Sequence, residues 1–545
     1  MATRRIKLLA LAVLAAAGGL GYHLLTATAQ TAPPELAQAP LNVTRTIPTS
    51  FIMALDDSGS MIWETLNNTR DGVYVWRDNR FYNTSGTAHG YSDTNNDAFR
   101  FYYSFPVGNR GDNKSAFPPI NAFGFARSPD INSAYFDPRL SYEPWKNGDG
   151  SDYLARIDPA SAPIDPRPTG SNNKMTGTLN LTADIERNDN DYWRFQVHSG
   201  MVLPVGTVVR GTCNSTPGLP GGTNNNWRTL TASTRIDQSC RLAFRYYPAT
   251  FFLRDRASLP ATYGYTADPV EVTNPAGGAP GTLYKYEIKL ANFGGNQAAY
   301  DSAMQNFANW FSYYRTRREG LIGSVTNALN SVSRMRVGWF RINNRNEVAM
   351  RDMSDAAQRT ALFSEIHQMR ASDSTPNRRA VQHMGQQFKR TNAGAPVQYS
   401  CQKNAGMLFT DGYINDDASP SVGGNLDGTR MPTAPFADSV SNTMADIVVP
   451  YYLDSLRPDL ESNSVPVPAQ CSSDNPDPRL DCQTNLHMNF YGITLGTRGR
   501  LFDVSYVADA NNPSIVTPDP FVSPPTWHTD RENLTPNAVD EMWHA

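Results

Sequence analysis

Phe51-Ile52-Met53-Ala54-Leu55 is an unbroken apolar run, and it ends abruptly at Asp56-Asp57-Ser58-Gly59-Ser60-Met61. Consecutive apolar side chains suit a strand buried on both faces, as at the centre of a parallel sheet, because a strand with one wet face would alternate. A polar turn directly after such a strand lies at the edge where α/β proteins place their binding sites. Met61-Ile62-Trp63 is then expected to start a helix. The chain is therefore read as α/β, with this segment at its centre.

The rest of that fold is expected far downstream. From about residue 67 to 297 the sequence turns to Asn, Gly, Tyr and Pro with short β-like pieces such as Gly72–Trp76, Phe99–Phe105, Arg241–Leu253 and Thr282–Leu290. This stretch reads as one large β-rich insertion. Within it, Tyr135-Phe136-Asp137-Pro138 and Tyr142-Glu143-Pro144-Trp145 read as a rigid packed loop. Regular alternation resumes near Ala299, where Phe307, Trp310, Phe311, Tyr314, Leu321, Ile322, Val325 and Leu329 recur at helical spacing. Strands are expected at 336–342, 405–409 and 488–495, and helices at 357–369, 376–389 and 439–456, the last kinked by Pro450. A final helix should open near Pro536. A chain of 545 residues exceeds the usual ~100–200 residues per domain, so at least two lobes are expected.

Residues 1–29 have the makings of a secretory signal peptide: Arg4, Arg5 and Lys7, an apolar Leu8–Leu20, and Ala27-Thr28-Ala29 as a cleavage site. The Arg4-Arg5 pair also suits twin-arginine export; either route leads out of the cytoplasm. A leader over 30–47 follows, then a first segment of the α/β domain over 48–66, the insertion over 67–297 and the remainder over 298–545. No later segment is apolar enough to span a bilayer. Loss of the signal moves the formal net charge from -3 to -6. With no basic run or basic-aromatic stripe, nucleic acid is excluded as a partner. In an exported chain the five cysteines are disulfide candidates. Cys471 and Cys482 can staple one loop, and Cys213 and Cys240 another, although sequence does not settle connectivity. Cys401 is left over, either as a buried thiol beside a core strand or as a reactive one.

Three segments carry the candidate chemistry: Asp56-x-Ser58-x-Ser60 after the first strand, Thr375 before a helix, with Ser372 and Ser374 as neighbouring alternatives, and Asp411 after a later strand. In a parallel sheet all three fall at the carboxyl ends of strands. Carboxylate and hydroxyl oxygens are hard ligands for a divalent cation, Mg²⁺ first, with Ca²⁺ or Mn²⁺ as alternatives. A donor set with few charges leaves the ion electrophilic, able to take an acidic group from a partner.

This constellation resembles the metal-ion-dependent adhesion site of von Willebrand factor A domains. The resemblance implies a Rossmann-like fold, a central mostly parallel sheet with helices on both faces. It also implies that Asp56, Ser58, Ser60, Thr375 and Asp411 hold the ion. The chain further resembles the PilY family of type IV pilus tip-associated adhesins and biogenesis factors. The residues that carry this are the two aromatic-proline motifs at 135–145, Asn306-Phe307-Ala308-Asn309-Trp310-Phe311-Ser312-Tyr313-Tyr314-Arg315-Thr316-Arg317, Arg336-Val337-Gly338-Trp339, and Ser400-Cys401-Gln402-Lys403-Asn404 leading into Leu408–Tyr413. Ala437-Asp438-Ser439 and Leu456-Arg457-Pro458-Asp459-Leu460 extend it over most of residues 45–545. Proteins of that family usually continue into a β-propeller. Its absence here is expected of a short form, a truncated reading frame or a front half.

The resemblance implies a non-enzymatic adhesion and pilus-assembly protein in the periplasm or at the cell surface and pilus tip. Its partners would be minor pilins and a host or surface ligand bearing an acidic group. The alternative is a generic exported metal-binding protein of the same fold without a pilus role. The chain carries no His-Glu-x-x-His, Gly-x-Ser-x-Gly, phosphate loop or Cys-x-x-Cys, so the usual protease, hydrolase, nucleotide and redox readings lack their parts. His367 and His383 are read as surface or packing residues.

Overall fold

Thr49–Leu55 forms strand β1, paired in parallel with Met335–Arg341 (β2) on one side and Asn404–Thr410 (β4) on the other. The two-residue strand Arg351–Asp352 (β3) adds antiparallel to β2, and Asn489–Thr494 (β5) adds parallel to β4. The sheet order is therefore β3-β2-β1-β4-β5. The computed structural model describes residues 47–545 except 68–71, 78–79, 83–98, 107–114, 168–176, 187–193, 273–280, 416–419 and 529–534 and most of 214–225 and 510–514. The expected signal peptide and nearly all of the leader lie outside the described residues.

β1 is apolar on successive residues because both of its faces are covered. Ile52 and Ala54 pack with Ala380, Val381 and Met384 of helix Asn377–Phe388, Ile447 and Val448 of Met444–Leu453, and Val539 of Asn537–His544. Met53 and Leu55 join Leu321, Ile322 and Val325 of helix Arg317–Asn330, and Leu362 and Phe363 of Ala356–His367. With helix Gln297–Tyr313 these become α1 (297–313), α2 (317–330), α3 (356–367), α4 (377–388), α5 (444–453) and α6 (537–544). Each fully buried aliphatic or aromatic side chain in these layers contributes about 1.5–3 kcal/mol.

Two local expectations are overturned. No α-helix starts at Met61: Gly59–Ile62 makes one 3-10 turn, and Trp63 is already extended. Tertiary contacts claim the residues that follow. The Trp63 ring stacks on Tyr102 at 4.7 Å, and Glu64 is buried against Arg315. The helix beside the turn is instead α2, whose first amide, Arg317 N, donates to Trp63 O at 3.1 Å. The helix expected over 439–456 is shorter, because Thr443 caps it in a reciprocal box with Asp446 and the chain leaves helical geometry at Asp454.

The intervening residues are β-rich. Short antiparallel sheets bring together Phe195–Val197, Val208–Thr212, Arg228–Thr229 and Cys240–Phe244, and separately Thr250–Leu253, Val270–Val272 and Leu283–Glu287. Arg241 pairs with Thr212, which sets Cys240 opposite Cys213, and the two form a disulfide with Cα atoms 5.5 Å apart. Cys471 and Cys482 form a second, and half-buried Cys401 remains a thiol. The aromatic-proline motifs are interior. Trp145 Nε1 donates to Tyr313 O at 2.9 Å, and Tyr135 and Phe136 close on Trp310. His367 stands against Trp145 and Tyr153, and burial pushes its ring down to about 4, so it packs as a neutral group. Pro48–Ala545 holds together as one unit, with a continuous apolar cluster running from β1 into the β-rich region.

Candidate functional site

From β1 the chain crosses to β2 and β3 on one side, then to β4 and β5 on the other, so β1 and β4 flank the point where the order reverses. Crevices outside the carboxyl ends of strands at such a point are the usual ligand sites of open α/β sheets. Asp56 follows β1 and Asp411 follows β4, and Asp56 N donates to Phe409 O at 2.9 Å.

Asp56 is fully buried. Its Oδ1 accepts from Ser58 N at 2.8 Å, and its Oδ2 accepts from Thr410 Oγ1 at 2.6 Å and Asp411 N at 3.3 Å. The first of these bends the polar loop so that Ser58 Oγ and Ser60 Oγ stand 3.1 Å apart. Asp57 points elsewhere: its Oδ1 accepts from the backbone and side-chain amides of Asn343 at 3.0 and 3.1 Å. Gly412, at φ +122°, turns the chain away after Asp411, and a Cβ there would strike Thr497.

The loop before α4 is sewn to the same place by its backbone. Ser372 N donates to Asp57 O at 2.7 Å and Gly59 N to Asp373 O at 3.1 Å, with Asp373 in the left-handed region at φ +76°. Of the three neighbouring hydroxyl residues, Ser372 is exposed, Ser374 half-buried and Thr375 buried. Thr375 N donates to Asn415 Oδ1. Among the described residues the Thr375 hydroxyl makes no hydrogen bond to the other four candidates, so the structure joins Asp56, Ser58, Ser60 and Asp411 directly and brings Thr375 in only through its loop.

Electrostatics set this pocket apart. Burial, reinforced by the Asp411 carboxylate, pushes Asp56 up to about 7. Asp411 Oδ2 accepts from Arg317 Nη1 at 2.7 Å, and Arg317 is itself held by Thr65 O at 2.6 and 3.1 Å, with its guanidinium over the Trp63 ring. A buried carboxylate raised by a second one, beside paired hydroxyls, is a donor set that a hard divalent cation would relieve. When bound, such an ion supplies a Lewis-acidic point that accepts a carboxylate from another molecule. Asp56, Ser58 and Ser60 would hold it, with Asp411 and Thr375 at its margin.

No family model matches the chain, and no solved structure matches it. Three curated proteins do, all named type IV pilus biogenesis factor PilY1 and all from Pseudomonas aeruginosa. The PilY1 of strain PAK is 28% identical over 277 residues, 44% of this chain and 23% of that protein. That of strain PAO1 is 28% identical over 294 residues, 46% and 25%. That of strain UCBPP-PA14 is 27% identical over 348 residues, 57% and 27%.

The chain is PilY-like.

The matches span about a quarter of the length of these relatives. Sequence reasoning on this PilY-like chain overlooked two neighbours of the candidate site. Thr410 stood in the Thr-Asp-Gly run without a role, yet its hydroxyl makes the shortest hydrogen bond to Asp56. Arg317 ends the Tyr-Tyr-Arg-Thr-Arg run, whose recurrence with aromatics was the available signal, but nothing in sequence tied it to Asp411. Among the described residues no helix is long and apolar enough to cross a membrane.

Proposed function

We propose that this chain is an exported, non-enzymatic type IV pilus biogenesis and adhesion protein. In this reading it is built on a Rossmann-like von Willebrand factor A fold, split by the β-rich insertion. It recognises partners through a metal-ion-dependent adhesion site made by Asp56, Ser58, Ser60, Thr375 and Asp411. The pilus role is supported by similarity to proteins named as pilus biogenesis factors. The observation that carries the site is Asp56, buried at the sheet's reversal point with its carboxylate braced by Ser58 N and Thr410 Oγ1 and both serine hydroxyls alongside. Strand order β3-β2-β1-β4-β5 with an antiparallel β3 edge supports the fold reading.

The site binds Mg²⁺ in preference to Ca²⁺ or Mn²⁺, and the bound ion docks an acidic group of a minor pilin or of a surface ligand. Calorimetric titration of the exported chain with each ion tests this, beside folded Asp56→Ala and Ser60→Ala variants. Saturable Mg²⁺ binding lost in both variants, with Mg²⁺-dependent and chelator-sensitive capture of minor pilins, is the expected result. A folded wild-type chain that takes up no ion would sink the metal bridge.

A further inference from the structure

A second cluster of metal-binding side chains lies outside this site. Asp427 sits in the short helix Leu426–Arg430, Asp438 in the loop after it, and His544 in the last turn of α6. One ligand atom from each lies within 4.8 Å of the other two. The side chains are 1%, 6% and 3% exposed, respectively.

The histidine is oriented for coordination. Its Nε2 lies 2.8 Å from Phe436 O, and a carbonyl oxygen only accepts, so Nε2 carries the proton and Nδ1 of the neutral ring keeps its lone pair. That commitment of one ring nitrogen to a carbonyl is the usual support of a metal-binding histidine. The ring is also clamped by stacking on Trp527, at 4.1 Å between centroids. Nδ1 faces Asp438 Oδ2 at 3.4 Å, while Nε2 lies 3.5 Å from Asp427 Oδ2, so Asp427 would have to turn toward Nδ1 to share an ion with it. Two atoms bound to one tetrahedral zinc ion at about 2.0–2.1 Å stand roughly that far apart.

One carboxylate oxygen of the cluster is left without a partner, whereas Asp438 Oδ1 accepts from Val440 N at 2.7 Å. Asp427 Oδ2 accepts from Asp438 N at 2.9 Å, but Asp427 Oδ1 is buried and accepts no hydrogen bond. Leaving a carboxylate oxygen so placed is costly without a compensating charge. Asp446 adds a third carboxylate nearby, with its own oxygens committed to Leu426 N, Asp427 N, Thr443 N and Thr443 Oγ1.

We propose that Asp427, Asp438 and His544 form a second divalent-cation site, of the zinc class, independent of the Asp56 site. One imidazole nitrogen and two buried carboxylates suit zinc, whereas Ca²⁺ takes six to eight oxygens and Mg²⁺ retains several waters. Asp427 and His544 also line a cleft of about 750 Å³ with Phe436, Phe521 and Trp543, which offers a fourth ligand a route to the ion. The ion ties α6 to the 426–438 segment.

The test uses the full chain, with His544→Ala, Asp438→Asn and, as a control, Asp56→Ala. Zn²⁺ is titrated against a competing chelator, and Co²⁺ is used as a visible-absorption probe for nitrogen coordination. Expected is Zn²⁺ binding weakened by more than the roughly 10–100-fold typical of losing a supporting partner, in both cluster variants and not in Asp56→Ala. A Zn²⁺-dependent rise in melting temperature should follow the same pattern. Zn²⁺ affinity unchanged in folded His544→Ala and Asp438→Asn, or no Zn²⁺ binding by the folded wild-type chain, overturns the proposal. The Asp56→Ala arm separates either failure from failure of the Mg²⁺ site.

Discussion

Arg317 Nη1 donates to Asp411 Oδ2 at 2.7 Å, and both side chains are almost completely buried, at 1% and 5% exposed. The pair links the first turn of α2 to the end of β4 across the candidate metal loop. Because Arg317 N also bonds Trp63 O, one residue fastens the end of the β-rich region to its beginning and to the site.

Arg317→Met should therefore do more than remove a charge. It leaves Asp411 buried without its partner, a change that costs about 3–5 kcal/mol. Urea unfolding should show the loss, and Arg317→Lys should recover only part of it, since an ammonium cannot hold Asp411 and Thr65 O together as the planar guanidinium does. Stability of Arg317→Met within 1 kcal/mol of wild type, on the order expected for an exposed pair, would refute this role.

Asp56 makes stability depend on pH when divalent cations are chelated. Its carboxyl is raised from an ordinary 3.8 to about 7 in the folded chain, so the folded state holds the proton more tightly than the unfolded one. The contribution is complete below the unfolded value and is lost as pH rises through about 7. In chelator, the gap in melting temperature between wild type and Asp56→Asn should widen against wild type from about pH 5 to about pH 8, either side of that titration. Mg²⁺ at the higher pH should reverse the loss in wild type alone. A gap that does not move with pH would argue against the buried, raised carboxylate.

Glu64 and Arg315 form a second interior pair at 2.9 Å, 1% and 0% exposed. Glu64 also accepts from Ser104 N and Phe105 N at 2.8 and 3.0 Å, so it pins the β-rich region to the segment leaving the metal loop. Glu64→Gln keeps the shape but removes the carboxylate charge from the Arg315 guanidinium, which keeps its bonds to Phe311 O and Ile164 O, with an expected loss of about 3–5 kcal/mol. Hydrogen exchange should quicken at residues 99–105 before it does in β1. Uniform quickening throughout would mean that the pair supports the whole core equally.

The two disulfides close loops of different length, with sequence separations of 27 for Cys213–Cys240 and 11 for Cys471–Cys482. Loop entropy alone makes the longer closure worth about 0.8 kcal/mol more, within the usual 2–4 kcal/mol for each. Chemical denaturation of Cys213→Ser/Cys240→Ser and Cys471→Ser/Cys482→Ser chains checks the order. The reverse order would show that folded-state packing outweighs loop entropy.

Features of local chemistry were legible in one dimension. An apolar run with no polar alternation had to be a doubly covered strand, and β1 is one, flanked by parallel neighbours. Turn residues after strands marked Asp56, Ser58, Ser60 and Asp411, because a polar loop at the end of a buried strand is visible in one dimension. Which groups face these residues was set by long-range packing. Arg317 lies 94 positions from Asp411, and Arg315 lies 251 from Glu64, and no periodicity encodes contacts at that range. The same long-range packing overrode a local expectation at Met61. Stacking of half-buried Trp63 on Tyr102 and burial of Glu64 against Arg315 hold the chain extended where local pattern suited a helix, because tertiary packing outweighs the few tenths of a kcal/mol of helix propensity per residue.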